Sequence, residues 1–436
     1  MFGLDRTTRI LLRAAVASLS ILTLAQQASA QTLRMWTFLD PASGKDPRER
    51  VLKKLIDQFE AANAGVKIQV EPQVWQQMTD KFLAATQTGT APDVMWVHLR
   101  RVPDAIKLGA LANLDDLFAK KWSKEEADDI DGSFWRFSAK PGAHYHITHS
   151  RSNVGQFYRA DLFREAGIDP KSLTTWDKFV AAAEKLTVRG DNGVTTRWGF
   201  GQAFATDGAN NSVVFSVMLD KNGVIFDEKN RANWATPAGV DGLNLQLDMI
   251  RKWKITQPGA VNEKNDDLYD QFNAGRFAII RGASARIPRA MTALGADKVG
   301  FFGTPSFTEG KFSPAEVAGW SVGVWSGSKQ KELAGKFVEF MSSKEADRLW
   351  TMEGGAVPIR KSTVKENAAF FADPKNAYLA DVAAAMLEAG WFPPDGAGAG
   401  WNEELNRAAQ DVLTNKTDTK AALQKAEQSY NRAHRL

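Results

Sequence analysis

The chain has 436 residues, about three times the roughly 150-residue prior for one domain, which points to two lobes. Its 44% hydrophobic and 24% charged residues, with 34 Gly and 16 Pro, exclude collagen, coiled coil and extended disorder, and a net charge of +4 leaves no electrostatic footprint for a nucleic-acid backbone. With no cysteine, disulfides, thiolate nucleophiles, thiolate metal sites and acylation of a lipoprotein cysteine are excluded too. At the N-terminus, Arg6, Arg9 and Arg13 precede an apolar run from Ala14 to Ala25, and Ala28-Ser29-Ala30 supplies the small-x-small pattern of a signal-peptidase site. That run is too short for a membrane span of about 20 residues. The expected mature protein begins at Gln31 and is soluble and periplasmic, without a lipid anchor.

Leu33 to Phe38 reads as a short buried strand, and Val51, Leu52, Leu55, Ile56 and Phe59 fall on one helical face. Gly65 ends that helix, and Val66, Ile68 and Val70 alternate as a strand. Trp75, Met78, Phe82 and Leu83 mark a second helix, broken by Gly89 and Pro92 before the apolar strand Val94 to Val97. This β-α-β-α-β order predicts a doubly wound sheet with right-handed crossovers. A second such block opens with a strand over Val154 to Tyr158 and a short helix from Asp161 to Ala166. Thr174 and Asp177 then have capping-box spacing before a helix through Leu186. Phe277 to Ile280 and Val322 to Trp325 read as further strands. Leu333, Phe337, Phe340 and Met341 form a helical stripe, and the chain from about 365 reads as helical except for the loop Pro393 to Gly400. No long linker separates the blocks, so strands crossing between the lobes should join them.

No G-x-S-x-G elbow, H-E-x-x-H pair, Walker loop or EF-hand loop occurs. Gly396, Gly398 and Gly400 lack the strand and the later acidic residue of a dinucleotide fingerprint and read as a flexible loop. His144, His146 and His149 could put two imidazoles on one strand face, but no nearby carboxylate completes a metal site; a strand or loop approaching a groove is the preferred reading. Neither a metal, a cofactor nor an enzymatic activity is expected. Paired carboxylates for an exported glycoside hydrolase would need a geometry that sequence does not show.

Several passages, in order, resemble the extracellular solute-binding proteins of sugar ABC importers, the maltose-binding-like family. Leu33-Arg34-Met35-Trp36-Thr37 resembles the family's first strand, and Phe59 to Val70 its F-x-x-x-x-P-G-I-x-V passage, with Ala64 where proline is common. Thr88-Gly89-Thr90-Ala91-Pro92-Asp93-Val94 is similar to S-G-x-A-P-D-V, and Gly109 to Leu114 to G-x-L-x-x-L. Phe157 to Gly167 is similar to Y-Y-N-K-D-L-F-x-x-A-G, with Arg159 replacing the usual asparagine, and Thr175-Trp176-Asp177 to T-W-D-E. Phe272 to Arg276 resembles F-x-x-G-K, and Gly354 to Arg360 resembles G-G-x-x-P-x-R. The resemblance implies an α/β fold of two doubly wound lobes joined by a hinge, periplasmic binding protein-like of type II, with ligand held in the cleft between them. Lobe I is expected over 31–153 with 322–360, and lobe II over 154–321 with 361–436.

Ligands of open α/β sheets bind beyond the C-terminal ends of strands, which selects candidate residues. Trp36, Thr37 and Asp40 follow the first strand, His98 and Arg100 follow Val94 to Val97, Ser284 and Arg286 follow Phe277 to Ile280, and Gly319 and Trp320 lie at the second lobe crossing. Trp75, and Trp391 and Trp401 flanking the glycine-rich loop, complete the set as aromatic platforms. Each has a blander reading: Trp36 and Trp75 as core, Arg100 as half of a structural ion pair. Trp96, Trp176 and Trp350 read as packing. Trp96-Val97-His98-Leu99-Arg100 is similar to the W-A-H-D-R pattern, but Leu99 replaces the aspartate that would hold a maltose hydroxyl. The expected function is capture of a sugar or oligosaccharide by a monomeric protein that delivers it to ABC permease transmembrane subunits. A phosphorylated polyol or acidic sugar is the alternative, for which Arg100, Arg286 and Arg360 would be needed. The exported hydrolase is a more distant one.

Overall fold

A computed structural model describes residues 31–130, 143–205, 212–373, 375–376, 378–379, 382, 390–391 and 400–435. The expected leader, and all of the expected glycine-rich loop but Gly400, lie outside these residues. The first strand, β1 (Gln31–Thr37), runs parallel to β2 (Val66–Pro72) and to β3 (Val94–His98). Between β1 and β2 lies the helix Pro47–Ala62, which starts at a capping box. The Asp46 carboxylate accepts from Arg48 N, and the Glu49 carboxylate accepts from Asp46 N. Its stripe Val51, Leu52, Leu55, Ile56 and Phe59 is buried against the sheet, each large side chain contributing about 1.5–3 kcal/mol. The next helix, Trp75–Thr88, ends on Gly89, whose φ of 71° is the left-handed cap that glycine accepts freely. Asp93, in the same motif, accepts from Arg34 N on β1 and from Ser328 Oγ, tying three segments at the sheet's edge.

Two long strands then carry the sheet from one half of the molecule to the other. These are β4 (Ile147–Arg159) and β11 (Ala315–Val324), which run antiparallel to each other. β11 also pairs with β3, and β4 pairs with β7 (Phe277–Ala283) and with β8 (Val299–Phe302). Beyond β7 come β6 (Thr195–Gly201), parallel to it, and the short β5 (Val188–Arg189). The strand order is β2-β1-β3-β11-β4-β7-β6-β5, while β12 (Gly390–Trp391) joins β11 and a separate ribbon pairs β9 (Thr304–Pro305) with β10 (Phe312–Ser313). The expected strands Val154 to Tyr158 and Val322 to Trp325 thus mark the ends of much longer strands, the second overrunning β11 by Trp325. The remainder escaped apolar patterning because its side chains bond across the ladder. Ser321 Oγ on β11 meets Thr148 Oγ1 on β4 at 3.2 Å and His146 Nδ1 at 2.9 Å.

The hydrophobic core divides along these two strands. One cluster unites Leu33 to Ile147 with Trp320 to Ile359. Three further clusters draw on Phe157 to Val317, Val357 and the described C-terminal residues. On β11 the change falls between Val317 and Trp320, three residues apart. The second half is capped by the antiparallel helices Trp401–Leu413 and Thr419–His434, which pack with the helix Pro237–Arg251.

Candidate functional site

A cleft of about 800 Å³ opens where β3, β4 and β11 carry the sheet across. One wall comes from the segment after β1, the N-terminus of the helix Pro47–Ala62, and Gln73 to Gln76 after β2. The opposite wall comes from the helices Asn265–Asn273 and Ile287–Leu294, and the floor from β4 and β11. The volume lies within the roughly 300–1,000 Å³ of small-molecule sites.

Six of the sequence-selected residues meet here: Trp75, His98, Arg100, Arg286, Gly319 and Trp320. Trp320 lies against Phe38, with ring centres 4.8 Å apart, and the edge of His98 meets it at 5.0 Å. His98 Nδ1 accepts from Arg100 N, which fixes the proton on Nε2. Burial, then the charges of Arg100 and Arg101, push His98 down to about 3, so the imidazole is neutral near pH 7. Trp75 is half-buried, and its indole N–H has no partner in the protein.

The wall arginines are paired. Arg48 bonds Asp46 at 2.8 Å, Arg286 bonds Asp266 at 2.7 Å and Arg289 bonds Asp270 at 3.2 Å. Arg286 also lies over the Tyr269 ring at 5.3 Å. Burial pushes the Asp46 carboxyl up, but the hydrogen bonds and charge of Arg48, with Arg286 adding, hold it below its usual value. Arg100 reaches the buried Glu316 on β11 at 2.5 Å, and its guanidinium covers the Trp401 ring at 4.7 Å.

The other six candidates lie off the cleft wall. Trp36 Nε1 donates to Glu71 on β2 at 2.7 Å, while Thr37 is fully buried, its Oγ1 accepting from Leu39 N. Asp40 closes a turn by accepting from Ala42 N, and the buried Ser284 accepts from Asn153 N. Trp391 and Trp401 are packed around Phe215 in the second half's core, at 5.4 and 4.9 Å between ring centres. The three histidines turn to separate partners: His144 to Asp115, His146 to Ser321, and His149 to the carbonyl of Met341. Arg360 is buried against Asp129, away from the cleft.

Sequence reasoning missed Asp46, Arg48, Asp266 and Tyr269. Asp46 carried a legible signal, since Asp46-Pro47-Arg48-Glu49 is a helix-start pattern a few residues beyond a strand end. Asp266 and Tyr269 carried none, because their place depends on how two distant helices converge.

Two α/β halves sharing two strands, with an aromatic and charge-paired cleft between them, define a two-lobed binding protein. The chain belongs to the family of bacterial extracellular solute-binding proteins, whose profile matches residues 45–348. It is 25% identical over 431 residues to a putative binding protein of Brucella abortus, covering 94% of this chain and 95% of that one. An arabinooligosaccharide-binding protein of Halalkalibacterium halodurans is also 25% identical, over 66% of this chain and 63% of its own. Among solved structures, an ABC transporter solute-binding protein of Thermotoga lettingae bound with α-D-tagatose superposes with a TM-score of 0.78 at 21% identity. That match covers 93% of this chain and 100% of the other.

Proposed function

We propose that this chain captures a sugar or oligosaccharide in the cleft and presents it to the permease subunits of an ABC importer. The observation that carries the reading is the pairing of Trp75 and Trp320 with a polar wall already neutralised within itself. A pyranose offers an apolar C–H face and a rim of hydroxyls. Aromatic planes cover such a face, and the Asp46, Asp266 and His98 groups can take the rim hydrogen bonds. A phosphorylated polyol would want guanidiniums free of carboxylates, and Arg48, Arg286 and Arg289 each have one. The names of the Halalkalibacterium and Thermotoga relatives point the same way.

The same reading divides the chain into lobe I, 31–153 with 322–360, and lobe II, 154–321 with 361–436. The separate cores and the two shared strands support it, although Trp320 packs with the first core and Val357 with the second half's. Residues 1–30 act as a cleaved leader, and the mature chain works as a soluble periplasmic monomer; no described helix is long and apolar enough to cross a membrane. The test is calorimetry and thermal shift with L-arabinose, arabinotriose, D-tagatose and maltose. At least one should raise the unfolding free energy by about 2.7 kcal/mol at 100-fold above its Kd. No response to any of the four, nor to the sugars named in the next subsection, would overturn the sugar reading.

A further inference from the structure

The inward row of side chains on the floor strands continues past the cleft. Ser152 and Val154 on β4 and Ala318 on β11 line the cleft. Side chains on one strand face recur every two residues, so the same rows lead on to Gln156 and Glu316. Arg281 on β7 is the register partner of Gln156, and Trp391 on β12 is that of Glu316. The helix Ser212–Asp220 adjoins this polar cluster: Arg281 donates from Nη2 to Ser212 Oγ at 3.0 Å and from Nη1 to Thr304 Oγ1 at 2.7 Å. Ser216 stands one turn along on the Ser212 face. Arg100, which lines the cleft, also reaches Glu316 and so joins the cleft to this cluster.

Several polar atoms of this cluster remain without a partner. Gln156, Ser216, Arg281 and Glu316 are each at most 1% exposed. Yet both amide atoms of Gln156, Ser216 Oγ, Arg281 Nε, Glu316 Oε2 and Trp391 Nε1 are buried without a hydrogen-bond partner. Buried polar groups are ordinarily bonded, so a cluster of orphans marks a place where something polar belongs. Donors outnumber acceptors in it. Arg281 Nε, Gln156 Nε2, Ser216 Oγ and Trp391 Nε1 can give protons, against Gln156 Oε1 and Glu316 Oε2 as pure acceptors.

Charge points the same way. Glu316 is ion-paired to Arg100 and its charge is also felt by Arg281, but among the described residues no carboxylate lies within ion-pair distance of Arg281. Burial draws Arg281 down only to about 10, so it stays protonated at neutral pH. Among the described residues, two guanidiniums thus face one carboxylate, an imbalance that is costly for the buried Arg281 unless a counter-charge arrives. We propose that this cluster forms the anion end of the binding site and receives a carboxylate of the ligand, making the captured solute an acidic saccharide. The proposal rests on the sugar reading above and narrows it. A carboxylate brings a single negative charge, matching the excess of one; a phosphate ester brings about −1.5 to −2.

The test is calorimetry of the whole mature chain with D-glucuronate and D-galacturonate against D-glucose and D-galactose, which differ from them only at C6. sn-Glycerol 3-phosphate is the fifth probe. Each uronate should bind at least tenfold tighter than its neutral match, and Arg281→Met should abolish that preference. Because Arg281 also holds Ser212 and Thr304, Gln156→Leu and Ser216→Ala provide variants that delete only unpartnered atoms. They should keep the urea midpoint and lose about tenfold in uronate affinity. Uronates that bind no tighter than their neutral matches, or variants that bind them like the wild type, would overturn this proposal and leave the sugar reading standing. Binding of the glycerol phosphate alone would overturn both, as would silence from every sugar tried.

Discussion

Single residues in and near the cleft divide into those whose bonds are complete and those that still lack a partner. Trp75 is of the second kind: its ring packs on the first core while its indole N–H, buried, meets nothing. Trp75→Phe keeps an aromatic ring but removes the indole N–H together with the fused second ring. Titration should show Kd rising about 2–10-fold, the worth of one net hydrogen bond, with the urea midpoint lowered only slightly because the ring is half-buried. His149, whose Nδ1 is likewise buried without a partner, reports on pH. It lies between Trp96 and Trp350 at 5.8 and 4.9 Å and bonds the Met341 carbonyl. Burial pushes its imidazole from 6.5 down to about 4. The unfolded chain therefore binds a proton below pH 6.5 that the folded chain refuses. His149 contributes fully above pH 6.5, and its contribution falls by about 1.4 kcal/mol per pH unit down to about pH 4. Asp347 has the opposite sign, since burial raises its carboxyl to about 6 and favours folding as pH falls. It is common to wild type and His149→Gln, so urea titrations of the two should converge as pH drops from 6.5 to 4; parallel curves would refute the assignment. At this scale His98 and Arg100 were legible from the strand-end rule, whereas Asp266 needed the tertiary fold. The sequence could not distinguish Trp320, on the cleft floor, from Trp401, beneath Arg100.

Among the elements, β11 does most to position the site, and it was the least visible in sequence. The helix Pro47–Ala62 announced itself through five apolar residues at helical spacing and an Asp-x-x-Glu start. β11 alternates apolar residues with Glu316, Gly319 and Ser321, whose partners lie on β3 and β4 and in Arg100, so its local pattern resembles a loop. Its register with β4 shifts between Trp320 and Ser321, beside Gly319 with a φ of 143°. That backbone is open to glycine and strained for any side chain. Gly319→Ala should therefore lower the unfolding free energy by about 1–3 kcal/mol, read from the urea midpoint, and weaken ligand binding, because the residue also lines the cleft. An alanine variant as stable as the wild type would mean that the strand relaxes into ordinary geometry and that the shifted register is no constraint.

For the molecule as a whole, the question is how the two halves move. Their cores are separate, yet the strands joining them belong to both: on β11 Val317 packs with one core and Trp320 with the other. Such a joint permits bending at a few residues while each core moves as a body. Across it, Arg100 at the end of β3 stands over Trp401 of the C-terminal helices, and Asp46 on one wall feels the charge of Arg286 on the other. Separating the walls would expose Trp401 and pull apart Asp46 and Arg286, so the bare chain should sample wider forms at modest cost. A ligand touching both walls gains its full contacts only when they are close, and it shifts the equilibrium by that difference in affinity. Small-angle scattering should therefore give a smaller radius of gyration with saturating ligand than without. Arg100→Met should give a larger radius in the bare chain, because it removes the contact with Trp401. Tryptophan fluorescence should change over the same ligand range, since Trp75 and Trp320 both face the cleft. A radius unchanged at saturation, alongside a fluorescence change, would show that ligand enters a rigid cleft and that β4 and β11 act as struts.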